Sequence, residues 1–168
     1  KKSKFGFFTS EENSYLKIAE ELGIKRLSKE GEPPQYARHP LVYLVEAADD
    51  ICYQMMDIED AYKLKLLTPK EAKDLYLLFF DEKKKRRVEE IFSFVTDGNE
   101  QIAYLRATVI GILIKECTKV FMENEEAILN GTFEGALIKH ISSLICFAKN
   151  AKHFSFSSGI FLKTRLSL

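Results

Sequence analysis

Between Glu46 and Ala61 the sequence reads EAADDICYQMMDIEDA, and Asp49, Asp50, Asp57, Glu59 and Asp60 crowd a stretch otherwise rich in Ala, Ile, Cys and Met. Asp49, Tyr53 and Asp57 stand at i, i+4 and i+8. In a helix turning about 100° per residue they fall within roughly 80° of arc, on one face over two turns. Glu46 lies one turn earlier on the same side. Leu44, Ala48, Ile51, Cys52, Met55 and Ile58 cover most of the remaining circumference, so the acids have no obvious solvent face. An unpaired carboxylate in a core costs several kcal/mol. These acids therefore call for a cation, a metal or a polar ligand. A carboxylate can hold a divalent metal that neutralises phosphate. A tyrosine can donate to a phosphate or stack on a sugar, and a second acid two turns away can accept from a sugar hydroxyl. That combination suits a nucleotide. The plainer alternative is ion pairing with Arg or Lys from a neighbouring helix.

The stretch RHPLVYLVEAADDICYQMMDIEDA resembles the dGTPase-like deoxynucleoside triphosphate triphosphohydrolases of the HD superfamily. Their last motif opens on an Asp and reads D-x-I-x-Y-x-x-x-D-[IL]-E-D-A, which Asp49 to Ala61 matches almost position by position. KKSKFGFFTSEE is similar to the family's Lys-x-Gly-aromatic segment before a helix, and LRATVIGILIKEC to its later core helix. The resemblance covers roughly Lys1 to Lys149. It implies an all-α fold, an HD-superfamily fragment of about six helices. It also implies hydrolysis of a dNTP, dGTP foremost, to deoxynucleoside and triphosphate, with Mn²⁺ or Mg²⁺. Asp49 would be the closing ligand of an H…HD…D metal site, Tyr53 a contact to phosphate or sugar, and Asp57 the acceptor from the 3′-hydroxyl. Lys4 is a weaker candidate for a phosphate contact, since loop lengths vary there. Asp50, Glu59 and Asp60 read as capping or ion-pairing groups. A homo-oligomer is expected from the family, some of whose members respond to single-stranded DNA.

The upstream ligands of that pattern are missing. The histidines are His39, His140 and His153, followed by Pro, Ile and Phe, and no His-Asp pair occurs. A lone carboxylate is a weak site for a transition metal, which needs several fixed ligands. The expectation is the C-terminal portion of a triphosphohydrolase with an incomplete site, inactive by itself. The alternative is a non-catalytic helical module for oligomerisation or regulation. A third reading, single-stranded nucleic-acid binding, rests on Lys83 to Arg87. That run is flanked by Asp81, Glu82, Glu89 and Glu90 and lacks interleaved aromatics for base stacking, so a solvated helix face or connection is the simpler reading.

The elements that must position these residues are helical. TSEENSYLKIAEEL opens on Thr9 with Glu12 three residues on, a capping-box pattern, and Gly23 is its stop. A Pro/Gly-rich loop follows, and Pro40 fits the first turn of a helix running to about Leu66. Thr68, Pro69 and Glu71 mark another start, with Leu75 to Phe80 as a core face. DEKKKRRVEEIFSFV reads as a charged connection into another helix. A long helix is expected from about Glu100 to Leu129, stopped by Asn130-Gly131, and Thr132 should cap a last one through Phe147. No strand of alternating pattern stands out. The organisation expected is a partial helical domain over residues 1–150 and a divergent tail over 151–168.

Composition narrows the class. In 168 residues, 46% are hydrophobic, and 25 Lys+Arg balance 25 Asp+Glu. That balance argues against a dedicated nucleic-acid or membrane-surface protein. Cys52, Cys117 and Cys146 are widely spaced in apolar contexts, as buried free thiols of an intracellular protein would be. No apolar run reaches the ~18 residues of a membrane span, and a cytoplasmic protein is expected. Lys1 reads as a start inside a larger protein or as a trimmed chain.

Overall fold

The computed structural model describes residues 6–143 and residue 147. Among them are six α-helices and two 3-10 turns, and the only β-type contact is an isolated bridge between Arg26 and Tyr36. The expected all-α class is the one the chain adopts.

A 3-10 turn at Thr9–Glu11 leads into α1 (Glu12–Glu21). The reach-back comes one residue earlier than the spacing predicts: Phe8 N donates to Glu11 Oε2 at 3.0 Å. The tighter 3-10 start accounts for the shift. Helix α1 buries only Ala19. Tyr15 stacks on Phe7 at 4.4 Å and meets the edge of Tyr36 at 5.2 Å.

Helix α2 (Pro40–Lys63) carries the carboxylates. Pro40 occupies its first position, and His39 caps it, Nδ1 accepting from Leu41 N at 3.3 Å. It stops at Lys63 rather than Leu66. Lys65 N donates to Tyr62 O and Leu66 N to Ala61 O, at 2.9 and 2.8 Å. Those paired bonds close the helix end. Helix α3 (Pro69–Leu77) begins as the sequence indicates. Glu71 N donates to Thr68 Oγ1 at 3.2 Å and Thr68 N to Glu71 Oε2 at 2.8 Å.

The charged connection is itself a helix, α4 (Glu82–Phe92), capped by Asp81, which accepts from Lys84 N at 2.8 Å. The expected helix from Glu100 to Leu129 is two: α5 (Gly98–Glu123) and α6 (Glu125–Leu129). Between them the Asn124 side chain donates to Val120 O at 2.7 Å and its backbone leaves the helical region. An Asn amide competes in this way with the helix ladder. Thr132 does not start the last helix. Its N–H and hydroxyl donate to Ala127 O, finishing α6. Gly135, at φ +83°, then turns the chain into the 3-10 turn Leu137–His140.

The core lies where α2, α3 and α5 meet, with the Leu137–His140 turn against α2 and α5. Helix α2 contributes Tyr43, Ala47, Ile51, Met55, Ile58 and Ala61. Helix α5 contributes Ile102, Leu105, Val109, Leu113 and Cys117. Both sets recur every three or four residues, one stripe per helix. Tyr76 of α3 is buried, and its hydroxyl donates to Met55 O at 3.1 Å. Burial pushes that phenol well above its ordinary range. Phe79 stacks on Phe147 at 4.5 Å.

Candidate functional site

Asp49, Tyr53 and Asp57 do share one face of α2, but that face is exposed. Tyr53 is 57% exposed and Met56 54%, and Ala48 and Cys52 are exposed with them. The expectation that apolar neighbours hem in these acids is corrected. Helix α2 is apolar on two sides, and α3 and α5 cover only one of them. Cys117 is buried as expected, while Cys52 is not. Lys4, Cys146, His153 and the tail lie outside the described residues.

Asp49 and Asp57 bracket Tyr53 over about 12 Å of helix rise. Beside them the acids are individually handled. Glu46 pairs with Arg38, whose guanidinium lies 4.7 Å over the Tyr43 ring. Glu59 is bound by Arg106 of α5 and by Lys63 at 2.9 Å. It is thus an ion-pairing group, as read. Asp50 is half-buried. Desolvation raises its carboxyl above the ordinary range, Glu46 and Asp49 add to the shift, and Lys139 opposes it. Sequence spacing did not find Arg38, Arg106 or Lys139, because each reaches the carboxylates from outside the α2 repeat. Arg106 comes from another helix and Lys139 from the 3-10 turn that packs on α2.

The histidines serve locally. His39 caps α2, and His140 packs on Phe133 with rings 4.9 Å apart, its Nε2 3.0 Å from Glu134 O. Among the described residues no three His, Cys, Asp or Glu side chains gather to hold a metal ion. The residues present therefore do not by themselves fit a divalent metal. In the basic run, Lys84 pairs with Asp81 and Lys85 with Glu82, while Lys83, Arg86 and Arg87 are exposed. No described helix is long and apolar enough to cross a membrane.

No protein-family model matches the chain. Individual relatives do. A deoxyguanosinetriphosphate triphosphohydrolase-like protein of Pseudomonas aeruginosa is 34% identical over 141 residues, 84% of this chain. Another, from Synechocystis sp., is 32% identical over 138 residues, 81% of the chain. The chain is a homologue of the deoxyguanosinetriphosphate triphosphohydrolase-like proteins. A deoxyguanosinetriphosphate triphosphohydrolase of Klebsiella pneumoniae is 30% identical over 137 residues and 73% of the chain. This homologue spans 31%, 29% and 27% of those three relatives respectively. The relationship bears out the resemblance carried by Asp49 to Ala61 and, with the helical architecture, the dGTPase-like fold.

Proposed function

We propose that the chain carries part of the substrate site of a metal-dependent dNTP triphosphohydrolase. The observation supporting this is the joint display of Asp49, Tyr53 and Asp57 on one exposed face of α2, in a homologue of proteins named for dGTP hydrolysis. Asp49 contributes one carboxylate toward an Mn²⁺ or Mg²⁺ ion. Tyr53 contacts phosphate or sugar, and Asp57 accepts from the deoxyribose 3′-hydroxyl. The remaining metal ligands come from polypeptide equivalent to the rest of the relatives' length, and the 168-residue chain alone is inactive.

Two measurements test this. The chain with dGTP and Mn²⁺ should release no triphosphate above an Asp49→Ala control. Clear release abolished by that substitution would show a complete site within the chain and overturn the incomplete-site reading. Second, this chain's residues can replace the matched region of the Klebsiella relative. The chimaera should hydrolyse dGTP, and Asp49→Ala should lower kcat by about 100-fold or more. An active chimaera indifferent to Asp49→Ala would refute the metal role.

One observation favours the second reading, a packing module. Leu41, Val45 and Met56 are 59%, 61% and 54% exposed beside the acids, an apolar row along one helix face of the kind that packs against another surface. In this reading α2 packs against the rest of a longer homologous polypeptide. An active wild-type chimaera whose Val45→Asp variant loses assembly but not folding would support both readings together.

A further inference from the structure

Helix α2 leaves bare a face of mixed character. Leu41, Val45, Ala48, Cys52 and Met56 recur every three or four residues and are all exposed. At about 100° per residue they fall within roughly 80° of arc, a row about 23 Å long. Asp49, Asp57 and Asp60 follow one side of that row, and they too are exposed. Among the described residues no cation pairs with any of the three, whereas Glu46 and Glu59 each hold an arginine. An apolar row with an unneutralised anionic edge fits a partner that is both apolar and cationic.

The sequence itself contains such a segment. The chain is neutral as a whole, but its charges are divided. Helix α2 carries six acids against one lysine. After Glu134 no Asp or Glu occurs at all, while Lys139, Lys149, Lys152, Lys163 and Arg165 do. The first of these cations, Lys139, already acts on Asp50 of α2. The last two lie in IFLKTRLSL, residues 160–168, among Ile160, Phe161, Leu162, Leu166 and Leu168. Phe147 is placed against Phe79 at the end of α3. From there, residues 148–159 can span up to about 40 Å when extended, enough to bring residues 160–168 to α2.

We propose that residues 160–168 dock on this bare face of α2, their apolar side chains on the row from Leu41 to Met56 and Lys163 and Arg165 against Asp49, Asp57 and Asp60. Docked there, the segment covers the face that displays Asp49, Tyr53 and Asp57, and holds it closed to a ligand or to other polypeptide. The docking stands on apolar and charge complementarity alone and needs no metal or sugar role for those residues.

The test follows Cys52, which lies within the apolar row. The 168-residue chain is treated with N-ethylmaleimide, a small neutral reagent, and the modified thiols are located by peptide mass mapping. Cys117 is buried, and burial pushes its thiol up to about 11, so its lack of reaction reports that each variant stays folded. Cys52 should react at least about threefold faster in Lys163→Glu/Arg165→Glu, and in Ile160→Asp/Leu162→Asp, than in the parent chain. High salt should speed the parent's reaction, because it screens the charge contacts. Adding the free peptide IFLKTRLSL to the charge-reversed variant should slow the reaction again. Lys70→Glu/Lys115→Glu makes the same charge change on exposed lysines of α3 and α5 and should leave the parent's rate unaltered. Equal Cys52 rates in the parent and both tail variants overturn the proposal. So does protection that grows with chain concentration, which assigns the face to a second copy.

Discussion

Asp50 lies beside the exposed acids yet is half-buried, and its charge works against folding. Its carboxyl is raised above the ordinary 3.8 by desolvation first, then by Glu46 and Asp49. The folded chain therefore binds the proton more tightly than the unfolded one, and stability falls as pH rises through the window above 3.8. Asp50→Asn should raise Tm at pH 7, with the gain vanishing below pH 3.8. Thermal unfolding followed by circular dichroism across that range checks the sign; a gain that grows on acidification would contradict it. Asp49 and Asp57 are exposed. Asp49→Ala and Asp57→Asn should leave stability within about 0.5 kcal/mol of the parent, measured by urea unfolding. A larger loss would mean that these acids hold the fold together rather than await a ligand.

At the scale of elements, the starts were legible and the ends and breaks less so. The Thr68 box follows from Thr, Pro and Glu at fixed offsets, because capping is a contact within one turn. Thr68→Ala should cost about 1 kcal/mol, read as a lower urea midpoint with the slope unchanged. Helix α4 was legible only as a solvated helix face or a connection, because Lys83 to Arg87 dominate it and Val88 is its one buried residue. The Asp81 cap and the Lys84–Asp81 and Lys85–Glu82 pairs support its first turn locally, and Val88 packs into the core. The break at Asn124 and the loop after Thr132 escaped for a related reason. Each depends on a side chain or a glycine choosing among near-equal local conformations.

At the scale of the whole molecule, the cost of a substitution follows from what faces it. Met55 is fully buried under the Tyr76 hydroxyl contact, and Met55→Ala should cost about 2–5 kcal/mol in urea unfolding. Gly131, at φ +70°, fastens the end of α6 to the segment before α2. A Cβ there would lie 2.8 Å from Ala37 Cβ and 3.1 Å from Leu27 Cδ2. Gly131→Ala should therefore cost more than about 1 kcal/mol, from strain and overpacking combined. A neutral result would show that residues 25–37 can shift away from α6.

Local spacing alone determined the helical class, the helix starts at Pro40 and Thr68, the Asn130-Gly131 stop, and the Asp49, Tyr53 and Asp57 register that carries the resemblance. These depend on contacts within a few residues along the chain. Which side of α2 is buried was decided only by tertiary structure. Leu41, Val45, Ala48, Cys52 and Met56 make one apolar stripe, and Tyr43, Ala47, Ile51, Met55 and Ile58 another. Either stripe satisfies a helical repeat. Helix α5, Tyr76 and the Leu137–His140 turn cover the second, because burial depends on neighbours distant in the chain. That choice leaves Asp49, Tyr53 and Asp57 facing outward, where a ligand or a further polypeptide can reach them.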